Sequence, residues 1–285
     1  MDNRPREVEE RLQPALPEFY SQQYGRFADE VYAAVRRESG GEDIGQNSWH
    51  TAEEHDRFRS WLDLDSAARL LDVASGSGGP TLRMARLAGC HVVGIDIQAE
   101  GIVAATTAAE QAGLAERAQF IQHDARRPLP FSDAAFDAVL CIDAINHLPD
   151  RPAVLREWWR VLKTGGRLVF TDPIIATGPL SNEEIAIRAA IGFFLFVPLG
   201  YDEWVLAEAG FDVETAEDRT EDIALVAGRW HDARAKREAM LREIEGYVHF
   251  TKQQTFLAMC ARLAREGRLS RFAYLARKLA GSTSG

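Results

Sequence analysis

Apolar positions along the chain change period several times, and the changes divide it into four stretches. Residues 1–65 have helical spacing. Phe19, Tyr20, Tyr24, Phe27, Val31 and Val35 recur at roughly helical steps from Glu18 to Arg37, and Ser39-Gly40-Gly41 is a fitting stop. A loop follows over 42–49. Thr51-Ala-Glu-Glu54 then has the form of a capping box, opening a second helix that ends near Leu64. In 66–173, short apolar runs alternate with helical patterns. Strands are predicted over 69–73, 91–97, 118–123, 136–142 and 167–171, with helices from Pro80 to about Ala88, over 100–112 and over 151–162. Such alternation implies an α/β fold, a doubly wound and mostly parallel sheet with helices on both faces. Residues 174–250 read as mostly helical, with helices over 182–199, 201–209 and 224–247 and a strand over 211–216. Residues 251–285 hold another helix, an antiparallel edge strand over 269–275 and a frayed tail from Gly281. The organisation expected is an N-terminal helical cap, a ligand-binding core, a helical insertion, and a C-terminal helix with the edge strand.

Composition narrows the setting. Hydrophobic residues make up 46% of the 285 positions and charged ones 27%, as in an ordinary globular enzyme. The net charge of −10 gives an acidic surface that repels phosphate backbones, so no nucleic-acid partner is expected. The N-terminus lacks the apolar core of a signal peptide. The most apolar stretch, Ala189 to Leu199, is too short to span a bilayer. A cytoplasmic protein with no membrane association is the expectation. Cys90, Cys141 and Cys260 lie far apart without CxxC spacing, and the seven histidines show no ligand spacing. Reduced thiols and no metal are expected, with His50 and His55 on the surface or in a loop.

The chemistry concentrates where the first strand ends. Asp72 is followed by Val-Ala74-Ser75-Gly76-Ser77-Gly78-Gly79, then Pro80 and a helix. Small residues let the backbone approach a ligand, and the helix start adds free N–H donors. Twenty-four residues on, the second strand ends in Asp96, an acid able to accept from both hydroxyls of a ribose. The nicotinamide fingerprint G-x-G-x-x-G fails, because its last glycine falls on Thr81. No P-loop string exists either. The pattern that fits is acid-x-small-x-Gly-x-Gly.

With Asp124-Ala125 after the third strand, Asp143-Ala-Ile-Asn-His147 after the fourth, and Lys163-Thr-Gly-Gly166 opening the fifth, the chain resembles the class I S-adenosylmethionine-dependent methyltransferases. Within them it is similar to the ubiquinone-biosynthesis-type group that includes sarcosine/dimethylglycine and phosphoethanolamine methyltransferases. The resemblance covers residues 40 to 173 well and the rest in outline. It implies a Rossmann-like core and S-adenosylmethionine as cofactor. Asp72, Ala74, Ser75 and Gly76 would then meet the methionine end, with the backbone at Cys141 beside it. Asp96 would hold the ribose, Ile97 would pack on the adenine, and Asp124 and Ala125 would read the adenine edge. The family usually has glycine at the position of Ala74.

Methyl transfer needs alignment, shielding and, for some acceptors, a base. His147 is the candidate base or orienting group. Asp143 is its helper, on the same face if that turn opens a helix. Tyr20, Tyr24 and Tyr32 are candidates to cover the cofactor as the family's N-terminal lid does, or else form the helix core; Tyr24 is placed with the catalytic groups. Glu42-Asp-Ile-Gly-Gln46-Asn-Ser-Trp49 is similar to the family's G-G-E-[DN]-[IL]-H segment, with Gly45 where histidine is common. It offers Gln46 for the cofactor and Trp49 for the acceptor. Phe193 and Phe196 would form part of a lid over the acceptor, or else a buried helix or a homodimer contact. The acceptor expected is a small molecule methylated at nitrogen, by resemblance; oxygen or carbon of an aromatic acceptor is the alternative. A non-catalytic nucleotide-binding module is the alternative of another class.

Overall fold

The computed structural model describes residues 18–27 and 29–279; the segment before Glu18 and the tail expected from Gly281 lie outside them. Among the described residues the frame is one eight-stranded sheet in the order β3-β2-β1-β4-β5-β8-β7. Its strands are β1 (Arg69–Val73), β2 (His91–Asp96), β3 (Ala118–Gln122), β4 (Phe136–Cys141), β5 (Leu162–Ala176), β7 (Phe211–Asp218) and β8 (Leu269–Lys278). A two-residue β6 (Val197–Pro198) pairs with β5 off that path. β1 to β5 are parallel neighbours. Antiparallel pairing falls at the far side, as expected, although β8 lies one place in from the edge, between β5 and β7. Its sequence, Leu-Ser-Arg-Phe-Ala-Tyr-Leu-Ala-Arg-Lys, is buried on both faces almost throughout, which suits an inner strand better than an edge.

Strand alternation builds two cores. Leu71, Val73, Val139 and Phe170 point to one face, where they meet Trp158 of helix α6 (Arg151–Val161) and Tyr274. Leu70, Ala138, Leu140 and Val169 point to the other. There they meet Leu82 and Met84 of α4 (Gly79–Ala88) and Phe58 of α3 (Ala52–Leu62). The chain runs from β1 to β2 and β3 on one side, passing through α5 (Ala99–Gln111), and then starts β4 on the other side of β1. That reversal opens a crevice at the carboxyl ends of β1 and β4, where open α/β sheets take their ligands.

Helical breaks differ from the sequence reading in three places. Residues 18–37 are two helices, α1 (Glu18–Gly25) and α2 (Glu30–Gly40), because the chain turns after Gly25 and restarts from Asp29 in an extended conformation. The stretch read as one helix over 182–199 is only α7 (Asn182–Arg188); Phe193-Phe-Leu-Phe196 forms no regular element and leads into β6. The helix read over 224–247 is α9 (Thr220–Ala235) and α10 (Glu238–Glu245), cut from α11 (Tyr247–Arg265) by Gly246 at φ +82°. With α8 (Tyr201–Glu208), these helices complete the fold. α9 and α11 bury Ile223, Val226, Phe256 and Leu257 against Trp49, forming a separate helical core above the crevice. No described helix is long and apolar enough to cross a membrane.

Candidate active site

β1 delivers Asp72 to the crevice with its side chain buried. The loop after it passes through left-handed backbone at Ala74, Gly76 and Gly78. Ala74 sits at φ +62° and Gly76 at φ +55°. A methyl-bearing residue in that region costs on the order of 1 kcal/mol, so the family's usual glycine is the unstrained choice at position 74. At Gly76 a Cβ would come within 2.7 Å of the Tyr24 hydroxyl. The loop is tied to β2: Ser75 N donates to Ile95 O at 3.0 Å, and Gly76 N donates to Asp96 Oδ2 at 2.8 Å. The other Asp96 oxygen accepts from Gln98 N at 2.8 Å. Thr81, the residue that breaks the dinucleotide pattern, is fully buried and donates to Asp72 Oδ2 at 2.5 Å. Burial pushes the Asp72 carboxyl up to about 7, with the Thr81 hydroxyl opposing and the Asp96 charge adding.

Two cavities open on this loop, and a third adjoins them at Asn47. The largest, about 170 Å³, runs past Ala74, Asp96, Ile97, Asp124 and Ala125 and is closed by Tyr24 and Phe193. A second, about 50 Å³, lies over Asp72, Ser75 and Gly76 and reaches Ser48 and His50. The third, also about 50 Å³, is walled by Trp49, Arg188, Phe194, Trp230, Gln253 and Phe256. Asn47 lines all three, while Tyr20, Asp143 and His147 stand between the first and the third. This third chamber draws on α11, through Gln253 and Phe256, as well as on residues 188–194 and Trp230.

His147 ends a short 3₁₀ turn, Ile145–His147. Its Nδ1 lies 2.7 Å from Phe193 O, a carbonyl that can only accept, so the proton sits on Nδ1. Nε2 is left as an acceptor for the Tyr20 hydroxyl at 3.2 Å. Burial holds the His147 pKa down to about 4, with Arg188 adding to the effect and the Phe193 carbonyl opposing it, so the ring is neutral at pH 7. Asp143 does not reach His147. The turn is not a helix, and Asp143 enters it at φ +51°. Its Oδ1 accepts from Arg271 Nε and Thr171 Oγ1, both at 2.7 Å, and its Oδ2 from Trp49 N at 2.9 Å. Although burial alone would raise its pKa, the Arg271 guanidinium holds it below the usual carboxylate range.

Several expected residues stand elsewhere. Gln46 is a loop staple: its Oε1 accepts from Ile44 N and its Nε2 donates to Glu42 O, and it lines none of the three cavities. Cys141 is fully buried in β4, and the next residue, Ile142, forms the cavity wall instead. Phe196 packs beside Ile174, Leu263 and Leu269, away from the chamber, whereas Phe193 covers the large cavity and Phe194 lines the chamber. Tyr32 bonds Glu245 on α10 rather than facing the crevice. Asp124 has both oxygens engaged by Arg126. His50 and His55 are buried against each other, their rings 5.5 Å apart, because α3 tucks the loop before it under the crevice. Asn47, Ser48, Arg188, Trp230 and Gln253 were not singled out from sequence. Only Asn47 and Ser48 carried a signal, their adjacency to the Glu42–Trp49 segment.

Residues 71–170 match the family model described as a methyltransferase domain. The 27-O-demethylrifamycin SV methyltransferase of Amycolatopsis mediterranei is 37% identical over 166 residues, 57% of this chain and 61% of that protein. The sarcosine/dimethylglycine N-methyltransferase of Halorhodospira halochloris is 29% identical over 231 residues, 78% of this chain and 80% of that one. Among solved structures, the [4+2]-cyclase SpnF superposes with a TM-score of 0.69 at 25% identity, covering 92% of this chain and 97% of its own. The chain spans less than two thirds of the length of the first curated relatives it matches, 61% and 46% for the first two. Matched domain, switch-point crevice and acid-tipped loop converge on one assignment: over residues 71–170 the chain carries a methyltransferase domain of the S-adenosylmethionine-dependent kind.

Proposed function

We propose that the protein transfers a methyl group from S-adenosylmethionine to a small-molecule acceptor seated in the chamber beside His147. The observation that carries this is the meeting of the three cavities at Asn47. One cavity suits an adenosine, one an amino-acid end, and one a second substrate. In this reading Asp72 takes the ammonium of the methionine end, with Ser48 and His50 near its carboxylate. Asp96 takes the ribose hydroxyls on its remaining lone pairs, and Ile97 and Ala125 pack on the adenine. Asp124 meets the adenine amine while staying paired to Arg126. Bound there, the cofactor supplies an activated methyl group with a good leaving group already in place.

The chain's own residues then have three tasks. Tyr20, Tyr24 and Phe193 exclude water from the crevice. Trp49, Trp230 and Phe256 orient the acceptor. His147 Nε2 receives the proton that the acceptor gives up, directly or through the Tyr20 hydroxyl, which burial keeps protonated. The neutral ring with Nδ1–H fixed on Phe193 O is the form this needs. Nitrogen is the acceptor atom inferred, supported by the N-methyltransferase relative that covers 78% of the chain. Oxygen is the second reading, favoured by the neutral His147 ring, whose Nε2 lone pair is linked to the Tyr20 hydroxyl, and by the O-methyltransferase relative.

The test combines calorimetric titration with S-adenosylhomocysteine and turnover of amine and phenol panels by wild type, His147→Ala and Tyr20→Phe. The histidine variant should bind S-adenosylhomocysteine normally and lose about 10²–10⁴ in kcat on an oxygen acceptor, the range that a positioned base supplies. An amine that reaches the site already uncharged should lose less. Stabilisation by NAD but not by S-adenosylhomocysteine would overturn the cofactor assignment. Turnover of the histidine variant within a few-fold of wild type on an oxygen acceptor would overturn the base.

A further inference from the structure

α7 ends in Arg188, whose side chain is buried at 2% exposure in the wall of the acceptor chamber. Other buried arginines among the described residues have carboxylates: Arg36 pairs with Asp43, Arg151 with Asp172 and Asp202, Arg234 with Glu245, and Arg271 with Glu54 and Asp143. Arg188 has none among the described residues, and its Nε has no hydrogen-bond partner. The guanidinium lies instead among three rings, at 4.8 Å from Phe194, 5.0 Å from Phe256 and 5.9 Å from Trp49. Aromatic faces offset part of the desolvation of a cation but offer its N–H groups no acceptor atoms. The one acid in the chamber wall, Asp143, has its oxygens taken by Arg271, Thr171 and the Trp49 amide. Two amide oxygens in the same wall, Gln23 Oε1 and Gln253 Oε1, are also buried without partners. The chamber therefore holds one uncompensated positive charge and two spare acceptors.

We propose that Arg188 is a substrate-binding residue whose fork pairs with an oxyanion, a carboxylate or a phosphate ester, carried by the methyl acceptor. The proposal rests on the reading of this chamber as the acceptor site. A planar guanidinium matches either group with two parallel hydrogen bonds, which fixes orientation as well as position. The oxyanion anchors one end of the acceptor between Phe194 and Phe256, the spare amide oxygens of Gln23 and Gln253 take its donors, and the accepting atom is directed toward His147 Nε2.

The test uses the protein saturated with S-adenosylhomocysteine, whose binding is measured in the same samples. The fluorescence of Trp49 and Trp230 is followed on titration with acetate and, separately, with inorganic phosphate, against chloride of matched ionic strength. Wild type should saturate with at least one of the two, and the stronger one identifies the source of the oxyanion. Arg188→Met should lose about tenfold or more of that affinity, and Arg188→Lys, which keeps the charge without the fork, should fall between. Without ligand, Arg188→Met should melt at or above the wild-type temperature, because it removes a buried charge that lacks a partner. Equal saturation by Arg188→Met, or saturation of wild type by neither anion while S-adenosylhomocysteine still binds, overturns the proposal and leaves the methyl-transfer reading standing. Failure of wild type to bind S-adenosylhomocysteine overturns the reading beneath it.

Discussion

The acid-tipped loop works through single atoms, and its glycine is the first place to test that. A Cβ at Gly76 meets the Tyr24 hydroxyl at 2.7 Å in a left-handed conformation. Gly76→Ala should therefore displace Tyr24 and weaken S-adenosylhomocysteine by about tenfold or more, a loss of at least ~1.4 kcal/mol that titration calorimetry reads directly. Asp72 gives a sharper signature. Its folded pKa, about 7, lies above the unfolded carboxyl value, so burial disfavours the charged form. The free protein loses stability as pH rises from about 4 to 7, while a ligand ammonium needs the charge. Affinity for S-adenosylhomocysteine should therefore fall toward tenfold per pH unit below about 7 and level off above it. Asp72→Asn should bind weakly at every pH and, in the free protein, melt higher than wild type near pH 8. A wild-type affinity flat from about pH 5 to 8 would remove Asp72 from the ammonium site. The placement of Asp72, Gly76 and Asp96 at one crevice was legible in the sequence because each lies at or just past the end of a strand. Arg188 was not, because a basic residue in the last turn of a helix looks like a surface charge until α9 and α11 cover it.

Legibility at the level of elements follows the same line between local and distant causes. The five parallel strands and Pro80 in the first turn of α4 were predicted because period and punctuation are local. The breaks after Gly25 and after Ala235 and the inward position of β8 were not, since they answer to packing partners far along the chain. β8 shows what such an element does. It carries Arg271, fully buried, to the ends of β4 and α3, where it donates to Asp143 Oδ1 and Glu54 Oε1, both at 2.7 Å. Asp143 in turn holds the Trp49 amide, so the C-terminal strand fixes the N-terminal strap that walls the chamber. Glu54 serves this cluster with its side chain, which leaves the expected capping box half made: Thr51 Oγ1 still accepts from Glu54 N at 3.2 Å. Arg271→Met would leave Asp143 buried without a cation, while Glu54 keeps Arg219 Nε at 3.1 Å, and should cost about 3–5 kcal/mol. Denaturant melts would show the loss, and Trp49 fluorescence should report a loosened strap before global unfolding. If Trp49 changes only with the global transition, the strap is held by its own packing and Arg271 is a stability residue alone.

For the molecule as a whole, the question is how the cap is kept over the crevice. The N-terminal helices touch the loop after β1 and helix α5 through Tyr24, at Gly76 and Gly101, but their long-range ion pairs run the other way, from Glu38 to Lys236 and Arg237. Arg26, at the turn between α1 and α2, donates to Ile244 O at 2.6 Å, and Tyr32 donates to Glu245 Oε1 at 2.8 Å. Glu245 is itself clamped in two bonds by Arg234, with both side chains nearly excluded from water. Val31 completes the contact against Leu241 and Phe250. Cap and C-terminal helices thus share one buried ion pair, and the turn that positions Tyr20 and Tyr24 hangs from it. Removing one partner of such a pair leaves an uncompensated charge, so Glu245→Ala should destabilise this region by about 3–5 kcal/mol. Hydrogen exchange should show residues 18–40 and 238–253 losing protection together while β1 and β4 keep theirs. S-adenosylhomocysteine should bind more weakly by the share of its affinity that needs Tyr20 and Tyr24 in place, and saturating it should restore protection to both segments at once. That restoration is the decisive measurement. If ligand reprotects 18–40 but leaves 238–253 open, the two segments are not one unit, and the C-terminal helices shape the chamber without governing the cap.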